Sequence, residues 1–117
     1  MTIQEIKDRL SEEHPHQYED KMIIEWVNDV ERELSMFLRP YEGIYAETTE
    51  KHDDLTDTVM LEETDLYVQY LIARICLANE EYDRYNTHSD FYNARLQDWK
   101  DRYIRAHEPI NRGTFKL

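Results

Sequence analysis

Three short stretches carry the residue types that metal or acid–base chemistry would need. Glu13 and His16 stand in E-x-x-H spacing, which on a helix turns two metal ligands to one face. A di-metal bundle site needs that pattern twice, from facing helices. Here it occurs once and Pro15 interrupts the helical register, so His14 and His16 read as exposed loop residues. His52-Asp53-Asp54 offers an imidazole and hard oxygen donors of the kind calcium and magnesium take. No D-x-D-x-D-G loop surrounds it, and the run reads as a solvated charge cluster. Cys76 lies within the apolar segment LIARICLA, where burial disfavours the thiolate a nucleophile requires. Gly43 and Gly113 are the only glycines, too few and too far apart for a phosphate-cradling loop. No catalytic constellation emerges, and the expectation is a non-enzymatic chain with no catalytic residue, metal or cofactor.

What the sequence concentrates instead is large rings with polar tips. YDRYNTHSDFYNARLQDW, residues 82 to 99, sets Tyr82, Tyr85, Phe91, Tyr92 and Trp99 beside Asn86 and Asn93, with no glycine or proline. A tyrosine buries an apolar face while its hydroxyl still needs a partner, which suits the border between a core and a contact surface. Tyr92, Trp99 and Tyr103 share a helical stripe and read as internal packing. Tyr70 and Phe91 fall off that stripe and, with Tyr85 and Arg105, are candidates for contact between subunits. Arg84, Arg95, Arg102 and Arg105 lie close enough to the rings to raise base stacking by single-stranded nucleic acid. The net charge of −12 opposes that reading.

The elements that position these residues follow from composition and period. A chain of 117 residues with two glycines and three prolines is expected to form one helical domain over residues 1–109, followed by an extension over 110–117. Thr2 and Glu5 have capping-box spacing and open a short helix to about Leu10. Asp20 opens a second, with Ile23, Trp26, Val27, Val30, Leu34, Phe37 and Leu38 on one face, ended by Pro40 and Gly43. Residues 41–63 carry eight acidic side chains against one basic and read as a long acidic loop with room for a short β-hairpin. From Thr64 or Asp65 the apolar residues run nearly all round, marking a central helix enclosed by neighbours. The pattern weakens at Asn86 and Thr87, where a new cap would start a last helix from about His88 to Ala106, although nothing there forbids one continuous helix. Pro109 and Gly113 leave INRGTFKL as an extended C-terminal tail. The fold class is therefore all-α, a small bundle of about four helices. The single cysteine excludes an internal disulfide and suits a reducing compartment, and the start, MTIQEIKDRL, has neither a signal-peptide core nor a membrane span.

Two ordered strings then carry a resemblance. The first is Pro15, Tyr18, Asp20, Lys21, Trp26, Asn28-Asp29 and Glu31. The second runs Leu66-Tyr67, Tyr70-Leu71, Ala73, Ile75, Asn79, Glu81, Arg84-Tyr85-Asn86, Asn93-Ala94, Tyr103, Arg105, His107 and Pro109. In these the chain resembles the head–tail connector, or adaptor, proteins of tailed bacteriophages of Gram-positive hosts; Arg74 and Cys76 depart from the pattern. The resemblance implies a virion structural protein with no catalytic residue, made in the host cytoplasm. It would form a homo-oligomeric ring beneath the portal protein, with tail or head-completion proteins docking on it and DNA passing through without specific binding. On that reading Asp53, Asp54 and Asp57 are candidates to face the channel, where carboxylates repel the DNA backbone. Phe115 and Leu117 would let the tail add to a neighbouring subunit. The alternative is a small acidic phage inhibitor that mimics DNA and blocks a host nuclease or restriction enzyme.

Overall fold

The computed structural model describes residues 1–42 and 51–107, with the side chains of 39–42 left aside. The described chain forms four helices: α1 (Ile3–Glu13), α2 (Asp20–Glu42), α3 (Thr64–Ala78) and α4 (Tyr82–His107). It is an all-α bundle, as composition and period predict. The central element is α3, which buries Leu66, Tyr67, Val68, Leu71, Ile72, Ala73, Ile75 and Cys76 and packs against each of the other three helices. Its apolar residues go nearly all round because neighbours cover it on several sides.

Helix α1 begins where its capping box places it. The Glu5 N–H donates to Thr2 Oγ1 at 3.3 Å and the Thr2 N–H donates to Glu5 Oε1 at 3.2 Å. Its Ile3, Ile6 and Leu10 are fully buried. In α2 the expected stripe is the buried one, through Ile23, Trp26, Val27, Val30, Leu34 and Leu38. The helix passes Pro40, the first of its two predicted stops, and reaches Glu42, next to Gly43. Pro40 falls in the last turn, where its missing N–H removes one ladder bond and leaves the earlier turns intact.

The boundary between α3 and α4 also differs from the sequence expectation. It lies at residues 79–81, ahead of Asn86 and Thr87, and α4 is continuous for 26 residues. The Glu81 N–H donates to the Cys76 carbonyl at 2.8 Å and the Glu80 N–H to the Leu77 carbonyl at 3.1 Å, the bonding pattern of a Schellman ending. Glu80 takes the left-handed position, at φ 59°. Glycine usually fills that place, and a side chain there costs about 1–2 kcal/mol. Thr87 does not cap a helix: its hydroxyl donates back to the Asp83 carbonyl at 3.1 Å, inside α4.

No strand forms among the described residues of the acidic loop, and residues 55–59 pair with the chain's first residues. Thr2 and Thr58 make an isolated antiparallel bridge. The Ile3 N–H donates to the Asp57 carbonyl (3.1 Å), the Gln4 N–H to the Leu55 carbonyl (2.9 Å) and the Val59 N–H to the Met1 carbonyl (2.9 Å). Two of these satisfy free donors of the first turn of α1. The predicted tail, with Phe115 and Leu117, lies outside the described residues. Among the described residues no helix is long and apolar enough to cross a membrane.

Candidate functional site

The densest polar chemistry is buried between α2, the acidic loop and α3. Glu31, on the inner face of α2, is 2% exposed. One carboxylate oxygen meets His52 Nε2 at 2.5 Å; the other accepts from the Tyr67 hydroxyl at 2.6 Å and from the Met60 N–H at 2.5 Å. One turn earlier, Asn28 accepts from the His52 N–H at 2.8 Å and donates to the His52 carbonyl at 3.0 Å, holding that residue as a paired strand would. Burial and the Glu31 charge push the Tyr67 hydroxyl far above its usual range, so it stays a donor. Its oxygen also accepts from the Leu61 N–H at 3.1 Å. Among the described residues Glu31 thus holds three groups, the His52 ring, the Tyr67 hydroxyl and the Met60 N–H. Its chemistry is that of a fastener, drawing residues 52–61 onto the bundle. His52 is thus built into the fold, in contrast to the solvated charge run expected of His52-Asp53-Asp54.

The candidate channel-facing acids lie on the outer side of this fastener. Asp57 is half-buried, and its Oδ2 accepts from the N–H groups of Asp53 and Asp54 at 3.0 and 3.2 Å. Asp54 accepts from the Thr56 N–H and hydroxyl, and these bonds hold its carboxyl below the usual range. Asp53 is exposed. The carboxylates of Asp54 and Asp57 therefore shape a turn, and Asp53 and Asp54 present charge to solvent.

The rings divide between α3 and α4. Tyr70 meets Tyr92 edge-on at 5.2 Å, and its hydroxyl accepts from Arg74 Nη1 at 2.9 Å. The Arg74 guanidinium lies over Trp26 and beside Asp29, tying α3 to α2. Phe37 of α2 packs edge-on against Trp99 and Tyr103 of α4 at 5.4 and 5.9 Å. Tyr85 is partly buried against the core. The predicted stripe is internal, with Tyr92 and Trp99 each 7% exposed. Burial and the neighbouring Glu33 carboxylate raise the Tyr92 hydroxyl, which makes no hydrogen bond of ordinary geometry among the described residues.

Of the candidate contact residues, Phe91 and Arg105 are exposed, and Tyr70 and Tyr85 are half-buried. Phe91 is 45% exposed and Tyr82 57%. Helical spacing puts Phe91 on one flank of α4 with Arg84, Arg95 and Arg102. Arg95 leans back onto the Phe91 carbonyl, and Arg102 pairs with Glu63 at 2.6 Å and Asp98 at 3.0 Å.

One arrangement joins residues that the sequence kept apart. His14 at the end of α1, Cys76 in the last turn of α3 and Glu81 at the turn into α4 bring their ligand atoms within 4.8 Å of one another. Their spacing along the chain is irregular, so only the packing of α1 on α3 could reveal them. His14 and His16 are accordingly partly buried, where a loop exposure was expected.

Comparison with known proteins gives no match: no family model, curated protein or solved structure is similar to this chain.

Proposed function

We propose that the chain is a structural subunit, a head–tail connector of a tailed bacteriophage that assembles as a ring on the portal through contacts between unlike surfaces. The observation that carries this reading is α4. It is 26 residues long, roughly 39 Å at the usual rise, and buries only Tyr92, Leu96 and Trp99. Much of the rest of its surface faces outward, with Tyr82 and Phe91 exposed and arginines on the Phe91 flank, while Tyr85 and Tyr103 pack half-buried against the core. The opposite character belongs to residues 1–65, whose acidic side chains outnumber the basic ones by nineteen to six. A basic, ring-bearing flank and an acidic body on one subunit are complementary when copies meet head to tail, the geometry that closes into rings.

The residues of the resemblance support the fold part of this reading. Tyr18 donates to Asn79 Oδ1 at 2.6 Å and packs on Trp26 at 5.4 Å, while Asn28, Glu31 and Tyr67 form the buried fastener. Such residues hold α2, α3 and the acidic loop in register and leave the surfaces to particular partners. The acids of 53–57 suit a channel wall that DNA slides past.

Co-sedimentation with portal rings from the phage that encodes the chain tests the proposal. The wild type is expected to pellet with the rings, and Phe91→Glu to stay in the supernatant with its helical content unchanged. Absence of the protein from purified virions overturns the reading, as does normal ring assembly by Phe91→Glu.

A further inference from the structure

We propose that His14, Cys76 and Glu81 form a binding site for a divalent transition-metal ion of the zinc class, which ties the end of α1 to the turn between α3 and α4. An imidazole nitrogen, a thiolate sulfur and a carboxylate oxygen make a mixed donor set that zinc accepts, and three protein ligands leave a fourth position for water. The ligand atoms lie within 4.8 Å of one another. Zinc bonds of about 2.0–2.3 Å bring such atoms somewhat closer together, a change within reach of side-chain rotation.

Each ligand is placed by backbone features already formed. His14 ends α1, with its N–H donating to the Leu10 carbonyl at 2.8 Å, and Pro15 after it favours extended backbone at His14, observed at φ −150° and ψ 84°. Cys76 and Glu81 are the two residues joined by the bond of the Schellman ending that spans more of the chain. Those two positions usually bring apolar side chains into contact. Here they bring a buried thiol against a carboxylate, beside Glu80 in a conformation that favours glycine. Backbone outliers of this kind gather where a site must be held in shape.

Among the described residues neither the His14 ring nor the Cys76 sulfur has a hydrogen-bond partner, and the Arg84 guanidinium, 3.5 Å from Glu81, is the competitor a metal must displace. His88 is engaged with Gln69 Oε1 at 2.9 Å, so it is not counted among the ligands.

Cobalt titration of the tag-free, chelator-treated chain under reducing, oxygen-free conditions tests the site. Cys76 is the only cysteine, so any thiolate-to-cobalt charge-transfer band reports this position alone. The expected result is a band that saturates at one equivalent, disappears on addition of zinc, and is missing from Cys76→Ser. His14→Ala and Glu81→Gln should each weaken binding by at least about tenfold, the lower end of what even outer-shell changes cost metal sites. Zinc should also raise the unfolding midpoint of the wild type and leave that of His14→Ala unchanged, with metal-free circular dichroism confirming that each variant is folded. No band in the folded wild type, or unchanged affinity in either His14→Ala or Glu81→Gln, overturns the proposal.

Discussion

The two sides of α3 are held by different physics. Toward α2 and the acidic loop, a buried carboxylate, an imidazole, an amide and a phenol meet at distances of 2.5–3.0 Å, each with a partner in place. Toward α4, rings interlock edge to face, and one buried hydroxyl, that of Tyr92, has no ordinary hydrogen bond. Buried polar contacts are directional and costly to leave unmade, so they select one register. Ring packing is more tolerant and supplies area. The first seam specifies where a loop without helix or strand must lie; the second fixes a helix that already has its own backbone bonds.

That contrast can be broken most directly at Glu31. Glu31→Leu leaves the Tyr67 hydroxyl, the Met60 N–H and the His52 ring without their acceptor, and should cost about 3–5 kcal/mol in chemical denaturation. A loss under about 1 kcal/mol would show that water replaces the carboxylate and that the seam is not sealed. Next in size is Tyr67→Phe, which removes a donor from Glu31 and an acceptor from Leu61 and should cost about 1–3 kcal/mol. The smallest change is expected at the matching position on the other side. Tyr92→Phe deletes a hydroxyl with no ordinary partner and should shift stability by less than about 0.5 kcal/mol in either direction. Equal effects of the two tyrosine changes would remove the distinction between the seams.

How much of this was legible depended on where each residue's partner lay. The start of α1 could be read from Thr2 and Glu5 because a capping box is local, and the buried stripe of α2 because its period is local too. The end of α3 could not, since the left-handed position is filled by Glu80, and a glutamate carries none of the signal a glycine would. Asn86 and Thr87 look like a boundary only until Thr87 is seen bonding back within its own helix. His52 was misjudged for a related reason: its immediate neighbours are acids that suggest solvent, while its partners Asn28 and Glu31 lie a helix away. The grouping of His14, Cys76 and Glu81 arises from three separate elements, and no spacing rule encodes it. Phe91 is exposed, as its place off the internal stripe implies, whereas Tyr70, also off that stripe, is half-buried and packs on Tyr92.

The pairing of residues 1–4 with 55–59 has a bearing on how the molecule comes apart. Three main-chain bonds clasp segments far apart in sequence, and they include the donors that α1 cannot satisfy by itself. When the clasp opens, the first turn of α1 loses those acceptors at the same moment that Val59 leaves its buried place. Opening is therefore shared between two distant stretches, and any partner that lifts the acidic loop also loosens the beginning of the chain.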